Sequence, residues 1–355
     1  SIFNNLKLRG SYGTSGNQRI TGNSYWSGAD LPFTFFGTGS GYALNDAIFL
    51  SQLGNTTLKW ETVAQANIGL DFGLWNNKLS GSLDFYKKKT TDLFQSRPIS
   101  GINGQFSINA NTGTLYNQGV DLQLTYNVVS NQNLRVALNV VGNYNENELG
   151  DLPSDDGQII GIGRNGGMLG EIYTYRYAGV NPANGNLLFL TADGDVTEQP
   201  NTDTDRVWLN KSSRPLSQGS FGFDIDYKGF FLTTQFNYEY GVDRFDIDYA
   251  RYVDRDNIGD FQVSGDLFRS WTPDNQVTDL PSLNATNLNF SGSRFLREAD
   301  YIRLRFVTLG YNFPLKMIEK AGFSRLRVFG NAENLFTLSK WRGFDPALRA
   351  GSLSY

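Results

Sequence analysis

The sequence has 355 residues, a length that fits two ordinary domains or one large all-β unit. Basic and acidic residues number 31 and 35, so the chain lacks the positive field that favours nucleic-acid binding. Cys and His are absent, which excludes disulfide scaffolds, Cys/His zinc sites and histidine-based catalysis. We therefore expect no nucleic-acid partner, no cofactor and no enzymatic activity. No apolar run reaches about 18 residues, so no transmembrane helix is expected.

Alternation of apolar and polar residues begins at the start of the chain. Residues 4–14 form a lone strand-like segment, whose partner is expected upstream. Residues 60–75 alternate strictly, and the alternation resumes over residues 79–87 after Asn76 and Asn77. This pattern predicts a β-hairpin that turns at the two asparagines.

Three further strand pairs follow in chain order. Their ranges are 119–128 with 133–145, 221–227 with 230–240, and 300–313 with 323–337. Pro314 and Gly322 stand where residues that start and end a helix are common, so a short helix is predicted in the last turn.

Short and long connections alternate along the chain. The short ones are 76–77, 129–132, 228–229 and 314–322, and the long ones are about 15–58, 93–113, 147–216 and 245–299. Because every second connection is long, all long loops fall on one side of the sheet. This arrangement predicts an all-β fold, namely a membrane antiparallel up-and-down β-barrel with short periplasmic turns and long extracellular loops.

A soluble sandwich or barrel would show the same alternation, so that alternative stays open on periodicity alone. Three features favour the membrane barrel. The strands are longer than the soluble mode of about 5–6 residues, and their polar face carries Asn, Gln, Ser, Asp and Gly. Aromatic residues gather at strand ends, where a membrane barrel has its interfacial girdles.

Lys87 and Lys89 share the lipid-facing parity of their strand. A lysine at the bilayer midplane costs about 2–4 kcal/mol, but only about 0–1 kcal/mol near an interface. Both are therefore expected at the outer rim, where their amines reach the head groups. A solvated rim and a specific contact with lipopolysaccharide phosphate are both open.

Candidate substrate-binding residues are the four tryptophans of the long loops, because flat aromatic faces suit sugars and peptide side chains. They are Trp26, Trp208, Trp271 and Trp341. Packing of the loops against one another is the alternative role.

Two charged groups of residues are also candidates. Arg303, Arg305, Arg325 and Arg327 are expected to form structural ion pairs, or else to meet plug acids or an anionic substrate. Residues 191–205 are rich in acidic oxygens, but the EF-hand spacing is absent, so no metal is predicted.

Several segments resemble the SusC/RagA-type TonB-dependent outer-membrane transporters. They are "GLDFGLWNNKLSGSLDFYKKKTTDLF", "NQGVDLQLTYNVV", "YKGFFLTTQFNYEYG" and, most specifically, "LREADYIRLRFVTLGYNFP" followed by "LRVFGNAENLFTLSKWRGFDP". The resemblance covers almost the whole chain and keeps its order.

The resemblance implies a barrel of about 22 strands in the cell outer membrane, filled by an N-terminal plug. It also implies energy from TonB, a SusD-like surface lipoprotein that closes the mouth, and a dimer of such pairs. Family members import oligosaccharides or oligopeptides. Residues 1–355 would be the C-terminal portion of the barrel, with about nine strands and without the plug, the TonB-contacting part and the final strand. We therefore expect the remaining barrel and plug segments as partners, together with lipid and lipopolysaccharide.

Two other functions stay open from the residues themselves. The absence of plug sequence allows a passive porin-like channel, and the alternation allows a soluble carbohydrate-binding β-protein.

Overall fold

The computed structural model describes residues 2–17, 33–41, 45–154, 157–159, 163–289 and 292–347. These residues are mostly in strands: β1 (Phe3–Asn17), β2 (Phe35–Ser40), β3 (Asp46–Gln52), β4 (Glu61–Leu74), β5 (Leu79–Thr91), β6 (Phe94–Pro98), β7 (Ser107–Asn111), β8 (Thr114–Ser130), β9 (Leu134–Gly150), β10 (Gln158–Ile159), β11 (Gly163–Arg164), β12 (Glu171–Val180), β13 (Leu187–Leu190), β14 (Val196–Thr197), β15 (Arg206–Ser212), β16 (Ser217–Tyr227), β17 (Phe230–Tyr240), β18 (Asp243–Phe245), β19 (Leu296–Glu298), β20 (Tyr301–Asn312) and β21 (Arg327–Ser339).

Helices are short. The α-helices are α1 (Ile247–Tyr252) and α2 (Leu315–Ile318), and the 3₁₀ helices are Gly101–Asn103, Arg255–Asn257, Gly265–Arg269, Gly292–Phe295 and Glu319–Ala321. Among the described residues, no helix has both the length and the apolar character needed to cross a bilayer.

The chain divides into two compact units, residues 1–126 with 143–169 and residues 127–142 with 170–355. Nine of the described strands are 11 to 17 residues long, and within each unit these long strands pair in antiparallel fashion. The first unit has the order β1-β4-β5-β8, and the second contains β16-β17-β20-β21. Strands β8 and β9 contribute residues to both units.

In the first unit, the predicted hairpin turn is confirmed. Trp75, Asn76 and Asn77 all have positive φ, of 51°, 57° and 57°, which asparagine tolerates better than most residues. Leu74 and Leu79 close the hairpin as facing residues of β4 and β5.

The prediction that the first strand has its partner upstream is wrong. β1 pairs with β4 along its length, from Phe3 opposite Leu74 to Asn17 opposite Glu61. The strand therefore has its neighbour downstream, across a long connection. The entropy of closing a loop rises only slowly with length, so a long connection can join adjacent strands almost as readily as a tight turn.

In the second unit, the turn between β16 and β17 and the helix before β21 are also confirmed. Lys228 and Gly229 have φ of 47° and 94°, the left-handed pair of a type I′ hairpin turn. The segment after Pro314 forms α2 and a 3₁₀ turn, which Gly322 ends at φ 79°. Glycine occupies this position because it pays no Cβ penalty there.

The long connections contain ordered strands, which the sequence pattern did not indicate. Hairpins β2/β3, β6/β7 and β10/β11 lie in the first unit. A four-stranded sheet of order β14-β13-β12-β15 lies in the second. Its core is formed by Tyr175, Leu187 and Phe189, of which the last two are 1% and 0% exposed.

Candidate transport pathway

The two faces of the long strands differ in chemistry, and one row of facing residues shows the apolar face. Leu8, Leu70, Leu83 and Leu122 stand opposite one another across β1, β4, β5 and β8. On the same face, Ile68 and Phe85 are 60% and 52% exposed although both lie on interior strands. A contiguous exposed apolar face of this kind is unfavourable in water and is stable against lipid.

The adjacent row of facing residues shows the polar face. It consists of Arg9, Gly69, Asp84 and Asp121. Arg9 donates from Nε and Nη2 to the two oxygens of Asp71, at 2.9 and 2.8 Å, and from Nη2 to Asp84 at 2.8 Å. Gly69 leaves the space for this guanidinium, because a Cβ there would lie 2.7 Å from Arg9 Cζ.

Asp84 and Asp121 face each other directly. Two facing carboxylates repel each other and destabilise the sheet unless each has its own hydrogen-bond donor. Arg9 serves Asp84, and Asn143 donates to Asp121 at 2.5 Å. Asn143 also donates to the hydroxyl of Tyr86, at 3.2 Å. The polar face is thus a hydrogen-bonded surface of amides, carboxylates and hydroxyls.

The polar face of the second unit follows the same plan. Asp224 accepts from Asn139 and from the hydroxyl of Thr233, both at 2.8 Å. Nearer the long loops, Arg244 donates to Glu239 at 2.7 Å, and Arg244 is 5% exposed.

The strand arginines mostly have partners within the chain. Arg303 pairs with Asp345, Arg305 lies 4.0 Å from Glu333, and Arg327 lies 3.9 Å from the ring centroid of Phe231. Structural pairing, the favoured expectation for this group, describes the first two.

Lys87 and Lys89 lie where the pattern placed them, on the face of Leu83 and Phe85. Both are exposed, and Lys89 Nζ lies 5.3 Å from the ring centroid of Tyr116 on the neighbouring strand. Lys88 points to the opposite face, with its Nζ 5.1 Å from the ring centroid of Tyr86. The contact of Lys87 and Lys89 with lipopolysaccharide stays a prediction.

Of the four tryptophans predicted to bind substrate, Trp26 lies outside the described residues. The other three are half-buried and contact different neighbours. Trp208 stacks at a tilt on Tyr173, with ring centroids 4.7 Å apart, and Trp271 donates its indole N–H to the carbonyl of Pro182 at 3.0 Å. The buried Nε1 of Trp341 has no acceptor among the described residues. Their role in binding substrate stays a prediction.

Glu198 organises the four-stranded loop sheet, and the sequence pattern missed it. Its carboxylate accepts from the side-chain amides of Asn184 and Asn186, at 2.8 and 2.7 Å, and from that of Asn181. These hydrogen bonds, led by that of Asn186, hold the pKa of Glu198 below its usual range. The only sequence signal was the asparagine-rich stretch "NPANGN" at 181–186.

The acidic stretch 191–205 uses its last carboxylate to accept hydrogen bonds from the backbone. Asp205 accepts from the amides of Asn201 and Ala192, at 2.7 and 3.2 Å, and these bonds lower its pKa. Across the described residues, no group of three or more acidic side chains is arranged to hold a metal ion.

These observations define a class of protein. Long antiparallel strands with a lipid-compatible face, a hydrogen-bonded polar face and large ordered loops are the features of an outer-membrane β-barrel.

Comparison with known proteins gives the family. Residues 1–335 match the family described as TonB dependent receptor-like, beta-barrel. The chain is 30% identical to TonB-dependent receptor P39 of Formosa agariphila, over 98% of the chain and 38% of that receptor. It is 25% identical to TonB-dependent receptor SusC of Bacteroides thetaiotaomicron, over 99% of the chain and 36% of that receptor. The RagAB peptide transporter structure matches with a TM-score of 0.82 and 28% identity, over 97% of the chain and 38% of the matched one.

The chain belongs to the TonB-dependent receptor β-barrel family. As predicted, it is part of an outer-membrane β-barrel, and the alternative of a soluble β-protein is wrong. The chain spans less than two fifths of the length of the relatives that it matches.

Proposed function

We propose that the complete protein containing this chain actively imports oligosaccharides or oligopeptides across the outer membrane, with energy supplied through TonB. The observation that carries the proposal is the paired set of faces, apolar outward and hydrogen-bonding inward, in a chain that superposes on RagAB with a TM-score of 0.82. Hydroxyls and peptide groups of a passing substrate can exchange hydrogen bonds with the amides and carboxylates of such a wall.

The proposed partners follow from the same similarity. A SusD-like surface lipoprotein would close the extracellular side, and a plug with the remaining barrel strands would complete the transporter. The ordered loop sheet β12–β15 supports a docking role, because its packed core gives the loop side a fixed shape. A dimer of such pairs is part of the proposal.

Uptake by cells tests the energy coupling. Labelled oligosaccharide and oligopeptide mixtures are offered to cells with and without the inner-membrane TonB machinery, and the accumulated label is measured. Active import predicts that uptake of one mixture is lost without TonB. Uptake that persists would instead support the passive porin-like channel. A strain without the transporter gives the background.

The same experiment separates the substrate classes. An excess of unlabelled oligosaccharide or oligopeptide competes only when it shares the transported class. Oligosaccharide is the first expectation from the sequence, and the similarity to a peptide transporter makes oligopeptide an equal arm of the test.

A further inference from the structure

A cavity lies in the long connection between β18 and β19, within the second unit. It has a volume of about 870 Å³, is open to solvent on one side, and is lined by α1 and the segments that follow. Cavities of about 300–1,000 Å³ are the usual size of small-ligand sites. Most of its wall is apolar, formed by Phe245, Ile247, Leu267, Leu283 and Phe295.

Arg294 lines this cavity and is 9% exposed. Among the described residues no carboxylate contacts it, and Asp279 acts on its charge only from a distance. Its guanidinium carbon lies 4.7 Å from the ring centroid of Phe295, and the hydroxyl of Tyr177 is its neutral hydrogen-bonding neighbour. Burial lowers the pKa of Arg294, although an arginine stays charged at any physiological pH.

The other two arginines that line the cavity have contacts within the chain. The guanidinium carbon of Arg251 lies 5.2 Å from the ring centroid of Phe261. Arg255 donates to the carbonyls of Leu283 and Ala285 and lies 3.4 Å from Asp256. By contrast, the buried hydroxyl of Ser270, which also lines the cavity, has no partner among the described residues. A guanidinium has five donors, more than the hydroxyl of Tyr177 can accept.

A buried charge without a counterion is costly, and a ligand that supplies one recovers that cost. The planar fork of arginine matches a carboxylate with two parallel hydrogen bonds. Three arginines and two aspartates line the cavity, which leaves room for one negative charge rather than two. The apolar wall complements a hydrophobic body attached to that charge.

We infer that this cavity binds the carboxylate of an imported molecule, with Arg294 as its counterion, Ser270 as an additional donor and the apolar wall against the adjoining body. The inference rests on the proposed import function and narrows its substrate class. The carboxylate has two chemical sources, the C-terminus of a peptide with an apolar last residue and the uronic acid of an oligosaccharide.

Calorimetric titration of the complete transporter in detergent tests the inference. The probes are N-acetyl-Leu-Phe with a free carboxylate, the same dipeptide as its amide, and digalacturonate. We expect one acid probe to bind, and the amide to bind about tenfold more weakly if the peptide is the source, as loss of a charge-assisted pair implies. The acid probe that binds identifies the source.

Variants assign the binding to Arg294. Arg294→Gln should remove the preference for acid over amide, and Arg294→Lys should weaken but keep it, because lysine retains the charge without the fork. Arg269→Gln is the matched control, since Arg269 lies outside this cavity and pairs with Asp266 at 2.7 Å. The protease digestion pattern of the loops shows whether each variant is folded. A further variant, Ser270→Ala, removes little volume and should reduce acid binding a few-fold.

Three outcomes would overturn the inference. The unaltered protein binds acid and amide equally and does not bind the uronate, it binds none of the probes, or the preference for acid survives Arg294→Gln in a folded protein. These outcomes are independent of the uptake test. TonB-dependent uptake without carboxylate binding refutes only the cavity, and carboxylate binding with TonB-independent uptake refutes only the proposed function.

Discussion

The long strands and the loop sheet β12–β15 are both antiparallel, but they bury different kinds of side chain. On the long strands, large apolar side chains such as Ile68 and Phe85 are more than half exposed, while polar side chains bond to one another. In the loop sheet, Phe189 and Leu187 are fully buried, and further hydrophobic side chains, including Val180 and Leu288, pack against them. The difference shows that the sequence of a strand specifies two faces. Whether the apolar face packs within the protein or against lipid depends on the surroundings of the strand.

The largest expected effect is in the loop sheet. Phe189→Ala should destabilise it by about 3–5 kcal/mol, because a fully buried phenylalanine leaves a cavity. The measurement is the rate of limited proteolysis within residues 171–212 of the complete protein. Phe85→Ala makes the same chemical change on the exposed face and should leave this rate unchanged. Equal acceleration by both substitutions would contradict the comparison.

A charge on the lipid-facing side should have the next largest effect. Phe85→Arg places a cation on that face and should cost up to about 2–4 kcal/mol of insertion, depending on depth. The folded fraction after refolding into lipid vesicles measures this cost. Ser82→Arg, on the polar face of the same strand, is the control. If both variants insert equally well, the assignment of faces is wrong.

Glu198 gives a smaller effect with a defined pH dependence. Glu198→Gln should cost about 1–2 kcal/mol in the loop sheet, since charge-assisted hydrogen bonds are replaced by weaker ones at a partly exposed site. The native pKa of Glu198 lies below its unfolded value, so its contribution is present above about pH 4.3 and is lost as pH falls through the native pKa.

The test for Glu198 is the rate of loop proteolysis at neutral pH and near pH 4, with an acid-tolerant protease. Unaltered protein should open faster at the lower pH. Glu198→Gln should reduce this pH dependence to the part that Asp205, whose pKa is also lowered, contributes. A variant that keeps the full dependence would assign it to another group.

The smallest effect is expected at the rim. Lys87→Glu with Lys89→Glu should change insertion by only about 0–1 kcal/mol. If the rim contacts lipopolysaccharide phosphate, the pair should also reduce the lipopolysaccharide that co-purifies with the protein. Lys88→Glu, on the opposite face, is the matched control. Unchanged co-purification would leave a merely solvated rim.

The sequence was informative where the structural cause is local. Alternation over 60–87 assigns each side chain to a face because the strand repeat is two residues, and Asn76, Asn77 and Gly229 mark turns because they tolerate positive φ. The same count assigned Lys87 and Lys89 to the face of Phe85, and their place at the outer rim stays a prediction.

The remaining features depend on contacts that are distant in sequence. The pairing of β1 with β4 spans a long connection, and strands as short as β13 and β14 lack the length to show a period. Glu198 accepts hydrogen bonds from three asparagines that are 12 to 17 residues away in sequence. Arg294 lines a cavity whose other lining residues are spread over the long connection between β18 and β19. No local pattern indicates such arrangements.

The two facing rows, Leu8 to Leu122 and Arg9 to Asp121, also have an evolutionary consequence. The wall is one strand thick, so residues that are neighbours in sequence are selected by different surroundings. Asp121 belongs to the hydrogen-bonded face and Leu122 to the lipid-compatible face, so a substitution at Asp121 leaves the apolar face unchanged. The chemistry of the polar face of such a wall can therefore change one side chain at a time while the contact of the apolar face with the membrane stays the same.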